Sequence, residues 1–146
     1  MKKTFLFALI ISAFFLSSVH SQTKEDSLAI KTTAMNYIIG YYEGDSARME
    51  KALHPELAKR IIRTDPQAGR LTFNQMSALT LINITKAGGG KNIPEDQRIF
   101  EFKILDITGN NASVRTTAKG FFDYIHMAKW NGEWKIVNVL WDFIKN

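Results

Sequence analysis

The sequence predicts an α+β fold in which N-terminal helices pack on one face of a curved antiparallel sheet. Three observations carry that expectation. Apolar residues recur at helical spacing near the start, only strand patterns follow Arg98, and the chain closes on a long β-hairpin from Phe121 to Phe143. Helices followed by a run of strands belong to layered α+β architectures, because the alternation needed for parallel βαβ units is missing.

The hairpin is the firmest element. Two runs of aromatic and β-branched residues flank Asn131-Gly132, a pair favoured in two-residue type I′ turns because both positions take positive φ. A two-residue loop pairs Trp130 with Glu133, Lys129 with Trp134, Met127 with Ile136 and Ile125 with Asn138. Alternation then places Asp123, Ile125, Met127, Lys129, Trp134, Ile136, Asn138 and Leu140 on one face, and Phe122, Tyr124, His126, Trp130, Val137, Val139 and Trp141 on the other. Both faces are apolar enough to need a cover, helices on one side and a second subunit on the other.

Upstream, Glu25 to Glu43 reads as a helix. Leu28, Met35, Ile38, Ile39 and Tyr42 face inward, Ile30, Ala34, Tyr37 and Tyr41 widen the apolar arc, Gly40 falls on the polar side, and Gly44 is the stop. Asp45 caps a short helix from Ser46 to Leu53, ended by His54-Pro55 because the residue before proline is pushed out of the helical region. Leu57 to Thr64 fits a strand or a ragged helical turn. Asp65-Pro66 and Gly69 mark a turn, and Arg70 to Phe73 a short strand. A third helix runs from Gln75 to Lys86, capped by Asn74, with Met76, Leu79 and Ile82 or Leu81 inward. Gly88-Gly89-Gly90 follows a helix, and Lys91 is not followed by Ser or Thr, so it reads as a flexible connector and not as a phosphate cradle. Strands from Ile99 to Ile107 and Ala112 to Lys119, joined through Thr108 to Asn111, complete the pattern.

Residues 1–21 stand apart. Lys2 and Lys3 precede an apolar run from Phe5 to Leu16, and Val19 and Ser21 are small residues placed for cleavage after Ser21. Ser12, Ser17, Ser18 and His20 interrupt the length that a membrane anchor needs. The expectation is a cleaved signal peptide and a single domain over residues 22–146, periplasmic or secreted and free of the membrane. The chain has no cysteine, hence no lipid attachment point and no disulfide framework. Its formal charge of +5 falls to +3 without Lys2 and Lys3. With no basic run or stripe, nucleic-acid binding has no support.

Two stretches, YIIGYYEGDSARMEKALHPELAKR and FKILDITGNNASVRTTAKGFFDYIHMAKWNGEWKIVNVLWDF, resemble the putative lumazine-binding family of the nuclear transport factor 2-like superfamily. The resemblance is carried by Gly44-Asp45, His54-Pro55, Asp123-Tyr124, and Asn131-Gly132 leading into Trp134, Ile136, Val137 and Asn138. It implies a cone-shaped α+β half-barrel whose concave sheet is closed by the first helices, commonly paired into homodimers through the outer sheet surface. The superfamily holds isomerases, dehydratases, epoxide hydrolases, cyclases and non-catalytic binders, so the fold assigns no reaction.

If the Trp134 face is concave, Asp123 and Asn138 are the hydrogen-bonding groups on an apolar wall, the usual form of a small-molecule site. Asp123 could serve as a general base or simply fix the hairpin. His54 could exchange protons at the cone mouth or cap the preceding helix. Tyr37 and Tyr41 could donate to a ligand or pack in the core. Ligand-binding candidates are therefore Tyr37, Tyr41, His54, Asp123, Trp134 and Asn138, with Asp123 and His54 the candidate catalytic groups. His126 falls on the outer face, where Tyr124 and Trp141 suit an aromatic dimer surface. No spacing points to a metal site, a cofactor, or a serine or cysteine nucleophile. The resulting expectation is an exported, cofactor-free, non-catalytic domain that binds a small apolar or aromatic ligand. Its alternatives are an isomerase, dehydratase or cyclase using Asp123 or His54 as base, and a protein-interaction module.

Overall fold

The computed structural model describes residues 24–145, so the expected signal peptide at 1–21 lies outside the described residues. Helix α1 covers residues 24–43 and ends where Gly44 takes φ +67. Asp45 N–H reaches back to Gly40 O at 2.9 Å and Gly44 N–H to Tyr41 O at 3.4 Å, the paired bonds that satisfy the last carbonyls of a helix at a left-handed stop. Asp45 also accepts from Arg48 N–H and so caps α2, Ser46–Ala52. Strand β1, Leu53–Thr64, follows directly. Then come β2, Leu71–Ser77, α3, Ala78–Lys86, a 3-10 turn at Glu95–Gln97, and the meander β3, Glu101–Thr108, β4, Asn111–Ala118, β5, Phe121–Trp130, and β6, Glu133–Phe143.

The six strands form one sheet in the order β2-β1-β6-β5-β4-β3. Every neighbouring pair is antiparallel except β1 with β6. The sheet is therefore mixed where an antiparallel one was expected, because β1 enters beside the last strand of the meander. The helices and the sheet's inner face enclose the core, built from Ile30, Ile38, Tyr42, Met49, Val114, Ile125, Met127, Ile136 and Val139.

Three local expectations are corrected. The third helix begins at Ala78 and not at Gln75, and Ser77 caps it by accepting from Thr80 N–H in place of Asn74. Residues 74–77 instead extend β2, where Asn74 pairs with Ile61 and Gln75 with Arg60, so the ladder satisfies their backbone. In α1, Leu28 is 67% exposed while Asp26, Ile30, Thr33, Ala34, Tyr37 and Ile38 are buried, so the inward face is rotated from the expected one. Gly40 also points inward, where a Cβ would lie 3.2 Å from Met49 N, so its small size lets α2 start against α1. Leu79 of α3 is likewise exposed, and Ala78, Leu81 and Thr85 are the buried residues.

The hairpin register departs from the regular one partway along β5 and β6. Pairing follows expectation from Trp130↔Glu133 to Met127↔Ile136, then shifts so that His126 faces Asn138, Ile125 faces Val139 and Asp123 faces Trp141. The extra residue, Val137, is a β-bulge, which turns every later side chain of β6 to the opposite face. Val139 becomes fully buried and Leu140 half-exposed. The regular register would have put Asn138 in the core and Val139 outside. The bulge reverses this, and Asn138 instead bonds Arg60 and His126 outside the core.

Candidate functional site

A cavity of about 310 Å³ opens between the helices and one end of the sheet. Tyr37 and Tyr41 of α1, Met49 of α2 and Leu81 and Ile84 of α3 form its helical wall. Lys59 of β1, Met76 of β2, Phe121 of β5, and Trp141 and Phe143 of β6 form the sheet wall. The bulge in β6 is what brings Trp141 to this inner face, so Trp141 lines the cavity and does not join Tyr124 on an outer surface as the regular register had implied.

Lys59 is the polar centre of the cavity. It lies on the buried side of β1 between Leu57 and Ile61, and all three residues are less than 5% exposed. Its Nζ lies 2.5 Å from Asp123 Oδ1 and 2.5 Å from the Tyr37 hydroxyl. Tyr37 in turn donates to Asp123 Oδ1 at 3.2 Å, and Thr116 Oγ1 donates to Asp123 Oδ2 at 3.2 Å. Asp123 is fully buried with both oxygens engaged, whereas Lys59 is the member of the ion pair on the cavity wall. The ammonium also sits 4.7 Å from the Trp141 ring centroid, 5.3 Å from that of Tyr37 and 5.5 Å from that of Phe121, within the range at which ring faces attract a cation. Trp141 thus meets the ammonium with its ring face, and its buried indole N–H has no hydrogen-bond partner among the described residues.

Burial is the dominant influence on the ionisation of Lys59, Tyr37 and Tyr41. It pulls Lys59 below the ordinary lysine value, against the opposing pull of Asp123. It pushes Tyr37 well above the ordinary tyrosine value, and the neighbouring Asp123 charge adds to that rise. Tyr41 is raised by burial and, secondarily, by Tyr42. The Tyr41 hydroxyl donates to Gly89 O at 3.1 Å. A Cβ on Gly90 would lie 2.6 Å from Tyr41 O and 2.7 Å from its ring. The glycine run therefore fits closely around Tyr41, which the reading as a bare flexible connector had not anticipated.

The remaining sequence candidates lie elsewhere. His54 accepts from Glu56 N–H at 3.1 Å and meets Trp130 edge-on at 4.9 Å, at the turn end of the hairpin. Trp130 and Asp123 are separated by seven steps along β5, roughly 23 Å at strand rise, so His54 and Asp123 do not converge. Trp134 is buried and donates to Asp26 Oδ1 at 2.9 Å. Asn138 accepts from Arg60 at 2.6 Å and contacts His126 at 3.3 Å, on the face opposite Asp123. Of the six ligand-site candidates, Tyr37 and Tyr41 line the cavity and Asp123 supports it from behind Lys59.

Lys59 and Thr116 were missed. Both sit on alternating buried rows, Leu57-x-Lys59-x-Ile61 and Val114-x-Thr116-x-Ala118, and that period was the available signal: a polar residue in phase with apolar neighbours faces inward. Among the described residues no three His, Cys, Asp or Glu side chains gather where they could hold a metal ion, and no helix is long and apolar enough to cross a membrane.

The family model described as "Putative lumazine-binding" matches residues 25–142. A nuclear transport factor 2-like protein of unknown function from Silicibacter pomeroyi is similar in structure with TM-score 0.63 at 16% identity, covering 84% of this chain and 98% of that one. One from Methylobacillus flagellatus is similar with TM-score 0.62 at 23% identity, covering 83% and 94%. One from Shewanella baltica is similar with TM-score 0.60 at 19% identity, covering 84% and 96%. Among curated proteins none matches the chain. The chain belongs to the putative lumazine-binding family and has the nuclear transport factor 2-like fold.

Proposed function

We propose that this member of the putative lumazine-binding family binds a small, flat, largely apolar molecule that presents a hydrogen-bond acceptor to Lys59. The single observation that carries the reading is a buried ammonium on the wall of an otherwise apolar cavity of about 310 Å³. That volume is near the lower end for small-molecule sites. An ammonium has three N–H donors. Asp123 and Tyr37 engage two, and the aromatic rings around Nζ leave a ligand acceptor as the natural partner for the third. Asp123 accepts from Lys59, Tyr37 and Thr116, which favours a role as counter-charge for Lys59 over that of a free base. The family description names lumazine, a flat ring system with carbonyl acceptors, and this chemistry suits the site.

Two matched compounds test the reading. Acetophenone and ethylbenzene share a shape but differ by the acceptor, and a hydrogen bond to a charged group contributes about 1.5 to 3 kcal/mol. Calorimetric titration of the purified protein should show acetophenone binding at least about tenfold tighter, an advantage lost in Lys59→Met. Equal affinity for the two compounds in the wild-type protein would refute the role given to Lys59. Lumazine belongs in the same series.

Export forms a second part of the proposal, supported by the basic start and the apolar run of residues 5–16. Fractionation with N-terminal sequencing should find the protein outside the cytoplasm beginning at Gln22. A cytoplasmic chain that retains residues 1–21 would contradict it.

A further inference from the structure

We propose that Lys59 captures small aromatic aldehydes covalently as an imine, with Asp123 and Tyr37 moving the protons. This rests on the ligand-binding reading and goes beyond it, from holding a carbonyl oxygen to attacking the carbonyl carbon. Three features of the cavity support it. The amine is nearly fully buried on the wall of a largely apolar chamber, the setting in which a lysine becomes an effective nucleophile. Its nitrogen touches two groups able to carry a proton, the Asp123 carboxylate and the Tyr37 hydroxyl, each at 2.5 Å. Those two groups touch each other at 3.2 Å, closing a triangle through which a proton can pass without water. The fall in Lys59 basicity caused by burial acts in the same direction, since it increases the share of neutral amine.

The step balances within this set. Asp123 takes one proton from the Lys59 ammonium, and the freed lone pair forms the C–N bond as the carbonyl π bond opens onto oxygen. Tyr37 gives its proton to that oxygen and regains one from the nitrogen, leaving a neutral carbinolamine. Asp123 then returns its proton to the carbinolamine hydroxyl. The C–O bond breaks, water leaves, and the nitrogen lone pair closes the C=N bond. The product is an iminium on Lys59 paired with the Asp123 carboxylate, so the buried charge pair present at the start is present at the end. Neither oxidant nor reductant is consumed.

Reductive trapping tests this. The purified protein is incubated with benzaldehyde and sodium cyanoborohydride at neutral pH, and benzylated lysines are located by peptide mapping. Lys24, Lys31, Lys51 and Lys86 are exposed and serve as internal references. Lys59 is expected to be labelled at least about tenfold faster than these. Tyr37→Phe should slow labelling at Lys59 and leave the reference lysines unchanged, and an unchanged Lys59 rate would overturn the proton path through Tyr37. Labelling confined to the exposed lysines overturns imine formation. Benzyl alcohol, of similar shape but unable to form an imine, separates the two readings. If it still shifts the methyl resonances of Met49 and Met76 on the cavity wall, binding stands and only the covalent step falls. If those resonances do not move, both fall.

Discussion

Among single residues, Lys59 and Asp123 form an ion pair almost wholly removed from water. Taking one partner from such a pair leaves an uncompensated buried charge and costs about 3 to 5 kcal/mol. Asp123→Asn should therefore lower the unfolding free energy by about 3 kcal/mol or more in urea titrations. The double variant Lys59→Met/Asp123→Asn should be more stable than Asp123→Asn alone, because it leaves no unpaired charge. A double variant less stable than the single would contradict this view of the pair. The sequence made Asp123 legible, since hairpin alternation placed it among Ile125 and Met127. Lys59 was not picked out, because Leu57 to Thr64 fitted both a strand and a helical turn, and only a strand puts Lys59 in phase with Leu57 and Ile61. Tyr37 was legible as a border residue of α1, but its partner could not be named while Lys59 was unassigned.

At the scale of elements, two contacts position the cavity walls. Near its N-terminal end α1 is tied to the hairpin by Asp26, which accepts from Trp134 Nε1 at 2.9 Å and from Lys129 Nζ at 2.8 Å. These bonds, with that to Lys129 the larger influence, hold the Asp26 carboxyl below its ordinary 3.8. A folded value below the unfolded one stabilises the native state above pH 3.8, and that contribution is lost as pH falls through the folded value. Asp26→Ala should cost about 2 kcal/mol at pH 7 by stranding the Trp134 N–H. Its stability should also fall less steeply than the wild type's as pH drops below 3.8. Acid unfolding curves of the two proteins measure both effects. Farther along α1, Gly90 packs onto Tyr41. Gly90→Ala should destabilise by about 1 to 3 kcal/mol through overpacking, with Tyr41 displaced from the cavity wall; a neutral effect would mean the glycine run gives way. The existence of three helices and the Asn131-Gly132 turn of the final hairpin could be read from the sequence because period and turn chemistry are local, whereas the start of α3 and the buried face of α1 were set by packing. The Val137 bulge could not, since it answers to long-range demands: Val139 and Trp141 must reach the interior while Asn138 finds Arg60 and His126.

At the scale of the whole molecule, the sheet presents an inner face that makes the core and the cavity, and an outer face carrying Tyr124 and Leu140, directly opposed across β5 and β6 and each about half-exposed. Family resemblance leads to the expectation of a homodimer through that outer face. Sedimentation velocity should then show a dimer that Leu140→Glu dissociates, and a monomer at all concentrations would rule the pairing out. The α+β class was visible in the order of elements, helices before strands. The parallel junction of β1 with β6 was not, because no local pattern reports which strand a distant segment joins. Entry of a ligand into the cavity beside Lys59 is read at the cavity wall itself by methyl NMR of the methionines. On titration with acetophenone, the Met49 and Met76 methyl resonances on the cavity wall are expected to shift together and saturate, while that of Met127, buried in the core, stays in place. Unmoved Met49 and Met76 resonances across the ligand series, lumazine included, would rule out binding beside Lys59.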